Sequence, residues 1–134
     1  MTYELNYLAI VVATFAYMLL GALWYSPILF GNAWMKGLGK TKEEVAADFS
    51  PLNYLWALIT SFIASYGIAR VLFWTGGGGL NEGLLLGLLA GVCFAGSAIW
   101  VNGTFEAKSC AFRFINALYH IVGMTVAGII IGVW

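Results

Sequence analysis

Arg113, Asn116 and His120 follow one another at spacings of three and four residues inside an apolar stretch. At about 100° per helical residue they share an arc of about 100° with Gly123 and Ala127. An ionisable side chain at membrane depth is a functional candidate by default. An imidazole there relays a proton or senses pH, or else stays neutral and bonds a hydroxyl on a neighbouring helix, such as Tyr17, Thr60 or Ser61. An arginine near the boundary takes a lipid phosphate or snorkels to the interface. With Asn53, Thr60 and Asn102, the stripe outlines a polar route.

Other chemistry fails on inventory. The single histidine excludes a His-based metal cluster, and neither metal nor cofactor is expected. Cys93 and Cys110 form no C-x-x-C pair and fall at different depths, so no disulfide is expected. All six acidic residues sit at or outside the ends of apolar stretches, so no carboxylate pair occupies a dry site. No serine nucleophile motif appears, and an enzyme is not expected. "TGGGG" (Thr75 to Gly79) lacks the lysine and Ser/Thr of a phosphate loop. A net charge of zero gives no field to attract nucleic acid. Small multidrug exporters need a carboxylate within the first span, whereas here Glu4 is at its lip and Glu43 comes next.

These residues must be held by elements built for lipid. The chain has 134 residues, 62% hydrophobic and 9% charged, against about 25% charged in a soluble domain. Stretches of about 20 apolar residues span a bilayer, and four qualify, at about 5–26, 51–74, 82–102 and 110–133. The expected fold is an all-α membrane protein, one domain over 1–134, with four transmembrane helices and a short interfacial helix after the first. "MTYELN" lacks the basic residues of a signal peptide, so the first stretch reads as a retained helix. Ser50-Pro51, Asn81 and Ser109 are placed as N-caps, and Gly76 and Gly103 as C-terminal stops. "TKEE" (Thr41 to Glu44) has capping-box form and predicts a short helix to about Phe49.

In "WYSPILFGNAW", Trp24 and Tyr25 suit an aromatic belt and Pro27 ends the first span. From Ile28 on, Phe30, Ala33, Trp34 and Leu38 share one helical face and Asn32 and Lys36 another, as in an interfacial helix. A re-entrant loop is the sharper alternative. Lys36, Lys40, Lys42, Lys108 and Arg113 outweigh the lone Arg70 of the other side. This places loops 27–50 and 103–109 in the cytoplasm and both termini outside. Arg70 is a partner for Glu82 or Glu4.

Helices in lipid associate through small residues and a few hydrogen bonds. Gly83, Gly87, Gly91 and Ala95 recur every four residues, with Ala90 and Ala98 beside them. Ala57, Thr60, Ser61, Ala64 and Gly67 form the small face of the second span, and Ala9, Ala13, Tyr17 and Gly21 that of the first. Ile115, Leu118, Val122, Val126 and Ile129 of the fourth span are assigned to lipid. The glycine faces call for cover, so the expected partners are a second copy of the chain, membrane lipids and a membrane-protein partner.

Gly21-x-x-Trp24-Tyr25-Ser26-Pro27-x-x-Phe30-Gly31-x-x-Trp34 resembles the opening signature of the domain-of-unknown-function 1761 family. The last thirty residues, with Asn116 and Tyr119, are similar to that family's last helix. The resemblance implies a small multi-span protein of the bacterial inner (cell) membrane, and supplies no activity, substrate or catalytic residue. The expected role is that of a non-enzymatic, self-associating bundle that scaffolds or modulates a partner or lipid. The alternative is a small transporter or channel along Asn116 and His120.

Overall fold

The computed structural model describes residues 5–134. Its helices are α1 (Tyr7–Trp24), α2 (Gly31–Leu38), α3 (Lys42–Asp48), α4 (Pro51–Thr75), α5 (Leu80–Leu89), a π-helical segment (Ala90–Gly96), α6 (Ser97–Phe105) and α7 (Cys110–Val133). No strand occurs among the described residues. The fold is all-α, and four helices are long and apolar enough to cross a membrane: α1, α4, the continuous run Leu80–Phe105, and α7. The shortest has 18 residues, about 27 Å at 1.5 Å per residue, close to the roughly 30 Å of a hydrocarbon core. Their outer faces are apolar, with Leu19 70% and Phe94 69% exposed. Water is a poor solvent for such a surface.

The helix ends follow local chemistry, with two corrections. Asn6 caps α1 by accepting from Ala9 N–H, and Ser109 caps α7 by accepting from Phe112 N–H. Thr41 accepts from Glu44 N–H to start α3. Ser50 has the extended backbone of a cap but makes no side-chain capping bond, and Pro51 removes one donor that would need it. Gly76 ends α4 in the left-handed conformation, φ 64°. Asn81, however, lies inside α5; the cap is Gly79, φ 100°, whose N–H donates to Gly132 O of α7. That tertiary bond anchors the start of α5 to α7, and the first turn of α5 has no side-chain cap. Gly103 does not stop its helix, which runs on to Phe105, and Ala107 takes the positive φ at the turn. Gly103 is buried for packing instead.

α7 is the hub, packing against α1, α2, α4, α5, α6 and the π-helical segment. This corrects the lipid assignment of its bulky residues: Ile115 is buried, and Val122, Val126 and Ile129 are half-buried, leaving Leu118 exposed. α4 joins only over its second half. None of residues 51–60 is buried, and Ala57, Thr60 and Gly67 face outward. The packed stripe is Ser61, Ser65, Ile68, Ala69 and Leu72; it keeps Ser61 of the small-residue face, with Ala64 partly buried at its edge, and its centre is rotated by about 100° from that face. Ile68 and Leu72 complete a core with Ala13, Tyr17 and Ala127.

The π-helical segment sets the register of the third span. In an α-helix residues five apart diverge; in a π-helix they stack. Gly91 and Gly96 are therefore both turned onto Ile121 of α7 and both buried. Gly96, rather than Ala95, continues the stripe begun by Gly83 and Gly87.

Candidate functional site

The inner stripe of α7 meets α1, and the two helices interlock. The Tyr17 ring lies flat on Gly123, where a Cβ would come 2.6 Å from Tyr17 Cε1. Reciprocally, the Tyr119 ring lies on Gly21, where a Cβ would come 2.6 Å from its hydroxyl oxygen. Each helix thus offers a glycine to the other's tyrosine. The rings meet edge to face, 5.4 Å between centroids, a geometry favoured by the ring quadrupoles. Tyr119 O–H donates to Tyr17 O at 3.3 Å.

Three further bonds fasten the seam. The Tyr17 hydroxyl and His120 Nδ1 share a hydrogen bond of 2.5 Å. Tyr25 O–H donates to Asn116 Oδ1 at 2.8 Å, and Trp24 Nε1–H donates to Ile115 O at 2.9 Å. Trp24 and Tyr25 are therefore turned into the bundle, not displayed as a belt. The cause lies in the turns that follow. Ser26 O accepts from Leu29 and Gly31 N–H, and Trp24 O accepts from Phe30 N–H. Pro27 is exposed at this reversal. Gly31 lies so close that a Cβ would come 2.5 Å from Tyr25 O. Residues 27–30 are spent on turns, so α2 starts at Gly31 rather than Ile28. Phe30 packs tilted against Trp24 at 4.7 Å, and Trp34 meets Tyr25 edge to face at 5.1 Å. Gly37 then rests on Phe112 of α7. The quoted motif is a folded-back lid on the α1–α7 seam.

Arg113 leaves this seam and faces α6. Its Nε–H donates to Lys108 O at 3.0 Å, its Cζ lies 5.4 Å from the Trp100 ring centroid, and its stem fills the space left by Gly103. Asn102 is exposed on α6, while Asn53 and Thr60 are exposed on the free half of α4. Of the sequence-derived route, Asn102 and Asn116 line one cleft with Arg113, while His120 lies in the α1–α7 seam and Asn53 and Thr60 stand apart on α4. Arg70 lies over Trp74 at 5.1 Å and makes no ion pair with Glu82 among the described residues, and Glu4 lies outside them. Cys93 and Cys110 are free and exposed. No acid, histidine or cysteine cluster able to hold a metal occurs among the described residues.

On the other side of α7, Gly83, Gly87 and Gly91 are buried against Gly128 O, Met124 O and Ile121 Cα. The glycine face that called for a second copy is covered from within the chain. An apolar groove of about 410 Å³ remains between α1 and the splayed half of α4, lined by Val11, Phe15, Ile59, Phe62 and Ile63.

Sequence reasoning singled out His120 and Asn116 but not the part of Tyr119, which touches Tyr17, Tyr25 and His120. Its position one residue before His120 was the available signal.

Fold and seam define a small all-α protein of four membrane-length helices built around its last one. Over residues 8–132 the chain matches the family described as "Protein of unknown function (DUF1761)", and it belongs to that family. No curated protein and no solved structure matches it.

Proposed function

We propose that the protein is a non-enzymatic bundle of the membrane that works through its outer surface, self-associating and engaging lipid or a membrane partner, rather than passing a solute. One observation carries this reading: the inner stripe of α7 is closed by α1. Tyr17 is 2% exposed and bonded to His120, and Asn116 is bonded to Tyr25. A conduit needs polar groups facing one hydrated path; Asn102 and Asn116 share a cleft with Arg113, but His120 is bonded to Tyr17 in the α1–α7 seam and Asn53 and Thr60 lie on the outer face of α4. Thr60 spends its hydroxyl on Trp56 O of its own helix.

Lys36, Lys40, Lys42, Lys108 and Arg113 belong to the α1–α2–α4 and α6–α7 connections or their first turns, and Gly37 against Phe112 puts both connections at one end. The positive bias supports a cytoplasmic position for that end.

Proton flux into liposomes carrying the protein is expected to equal that of protein-free liposomes, for the wild type and for His120→Ala alike. Flux that vanishes in His120→Ala would overturn the reading. Single-molecule counting in nanodiscs is expected to find more than one copy per assembly.

A further inference from the structure

We propose that the cleft between α6 and the start of α7 binds a phosphate group through Arg113. The cleft, about 170 Å³, is lined by Asn102, Gly103, Glu106, Arg113 and Asn116. The arginine is held before any ligand arrives. Nε–H is tied to Lys108 O, Trp100 supports the guanidinium, and bare Gly103 admits the stem, where a Cβ would come 2.7 Å from Arg113 Cγ. Its terminal amino groups make no hydrogen bond to the described residues. They are a preformed fork of the kind that pairs with phosphate oxygens.

Beside apolar Ile99 and Phe112, the polar neighbours are mostly donors. Asn116 has its Oδ1 occupied by Tyr25 O–H, which leaves its amide N–H groups to donate. Asn102 adds an exposed amide beside the half-buried Asn116. Lys108 is adjacent, its Nζ 5.4 Å from the Phe112 ring centroid. The one opposing group is Glu106, which lines the cleft without forming an ion pair with Arg113. Surplus donors around a fixed cation suit an anion with several oxygens. A lipid headgroup and a soluble phosphate ester share that chemistry. The inference rests on the membrane reading above only for the choice between these two sources.

Native mass spectrometry of the detergent-purified full chain tests it, with phosphatidylglycerol, diacylglycerol as its phosphate-free counterpart, and glycerol phosphate. Phosphatidylglycerol is expected to be retained about tenfold better than diacylglycerol, the worth of a charge-assisted hydrogen-bond pair. Arg113→Gln removes that preference. Asn102→Asp, an isosteric change at an exposed position, lowers it without touching the core. Glu106→Gln raises it, and Lys42→Gln on exposed α3 leaves it unchanged. If glycerol phosphate binds with the same dependence on Arg113 and Asn102, the site stands and its ligand is soluble. Equal retention of phosphatidylglycerol and diacylglycerol with no glycerol phosphate bound overturns the proposal. So does a preference that survives both Arg113→Gln and Asn102→Asp. None of these outcomes depends on proton flux or copy number, so the function proposed above fails or stands separately.

Discussion

α7 is gripped on two sides by different means. Toward α5 and the π-helical segment the contact is backbone on backbone, with Gly83 on Gly128 and Gly87 on Met124 O. Toward α1 it is made of rings and hydrogen bonds, with Tyr17, Trp24 and Tyr25 reaching His120, Ile115 and Asn116. In a bilayer, which four helices of this length and polarity fit, neither seam would gain much from the hydrophobic effect, because the alternative neighbour is equally apolar. The first seam therefore depends on how closely two backbones approach, and it has no give. The second depends on side chains that can swing, and it tolerates change. Rigidity and adaptability have been assigned to opposite faces of one helix.

The largest expected effect breaks the rigid seam. Gly87→Ala puts a methyl into Met124 O and Thr125 Cα, backbone atoms that cannot step aside. We expect a loss of about 3 kcal/mol, the upper part of the range for overpacking, in reversible unfolding in detergent. A loss below 1 kcal/mol would show that α5 and α7 sit further apart. Gly21→Ala is the matched test of the adaptable seam. There the methyl meets the far end of the Tyr119 ring, and about 1 kcal/mol is expected. Equal losses at Gly21 and Gly87 would erase the distinction.

A smaller effect measures one bond within the adaptable seam. A double-mutant cycle of Tyr17→Phe and His120→Ala is expected to give a coupling of about 0.6 kcal/mol, the usual worth of such bonds between membrane helices. Zero coupling would mean that the ring contacts alone hold the seam.

The smallest effect lies outside both seams. Lys40 and Asp48 pair at the surface, 44% and 61% exposed. The bond to the carboxylate, then its charge, raises the Lys40 pKa above its ordinary 10.5. That pairing is fully present below 10.5 and is lost as pH rises through the higher folded value. Asp48→Asn is accordingly expected to leave the melting temperature at neutral pH unchanged, because exposed pairs contribute little. A clear drop would mean that α3 docks on the bundle.

The four long helices were legible because a bilayer imposes one length and one polarity on every span. Ser109, Thr41 and Gly76 were legible because a cap is a bond between near neighbours. Gly103 was misread because glycine serves both as a C-terminal stop and as a place for close approach, and only the position of Arg113 distinguishes them. Ile115 was misread because a bulky side chain on a membrane helix suits lipid and interior equally; the hub role of α7 decides. The π-helical segment was not legible, because the five-residue spacing of Gly91 and Gly96 acquires meaning only once both pack on Ile121 of another helix. At the α1–α7 seam the sequence revealed His120 and Asn116 as unusual in an apolar run. It also offered the Tyr17 hydroxyl as a partner for His120, but it did not show that Tyr25, resembling part of an interfacial belt, turns inward to satisfy Asn116.

α7 is the last of the described helices to leave the ribosome, and it is the one on which the others pack. Proteins usually consolidate from the N-terminal end during synthesis. Until α7 is made, the Gly83–Gly87–Gly91 stripe is uncovered and the Tyr17 hydroxyl is without its imidazole. Assembly of the bundle therefore waits for α7, and a chain truncated before it exposes a glycine-lined face that the whole bundle hides.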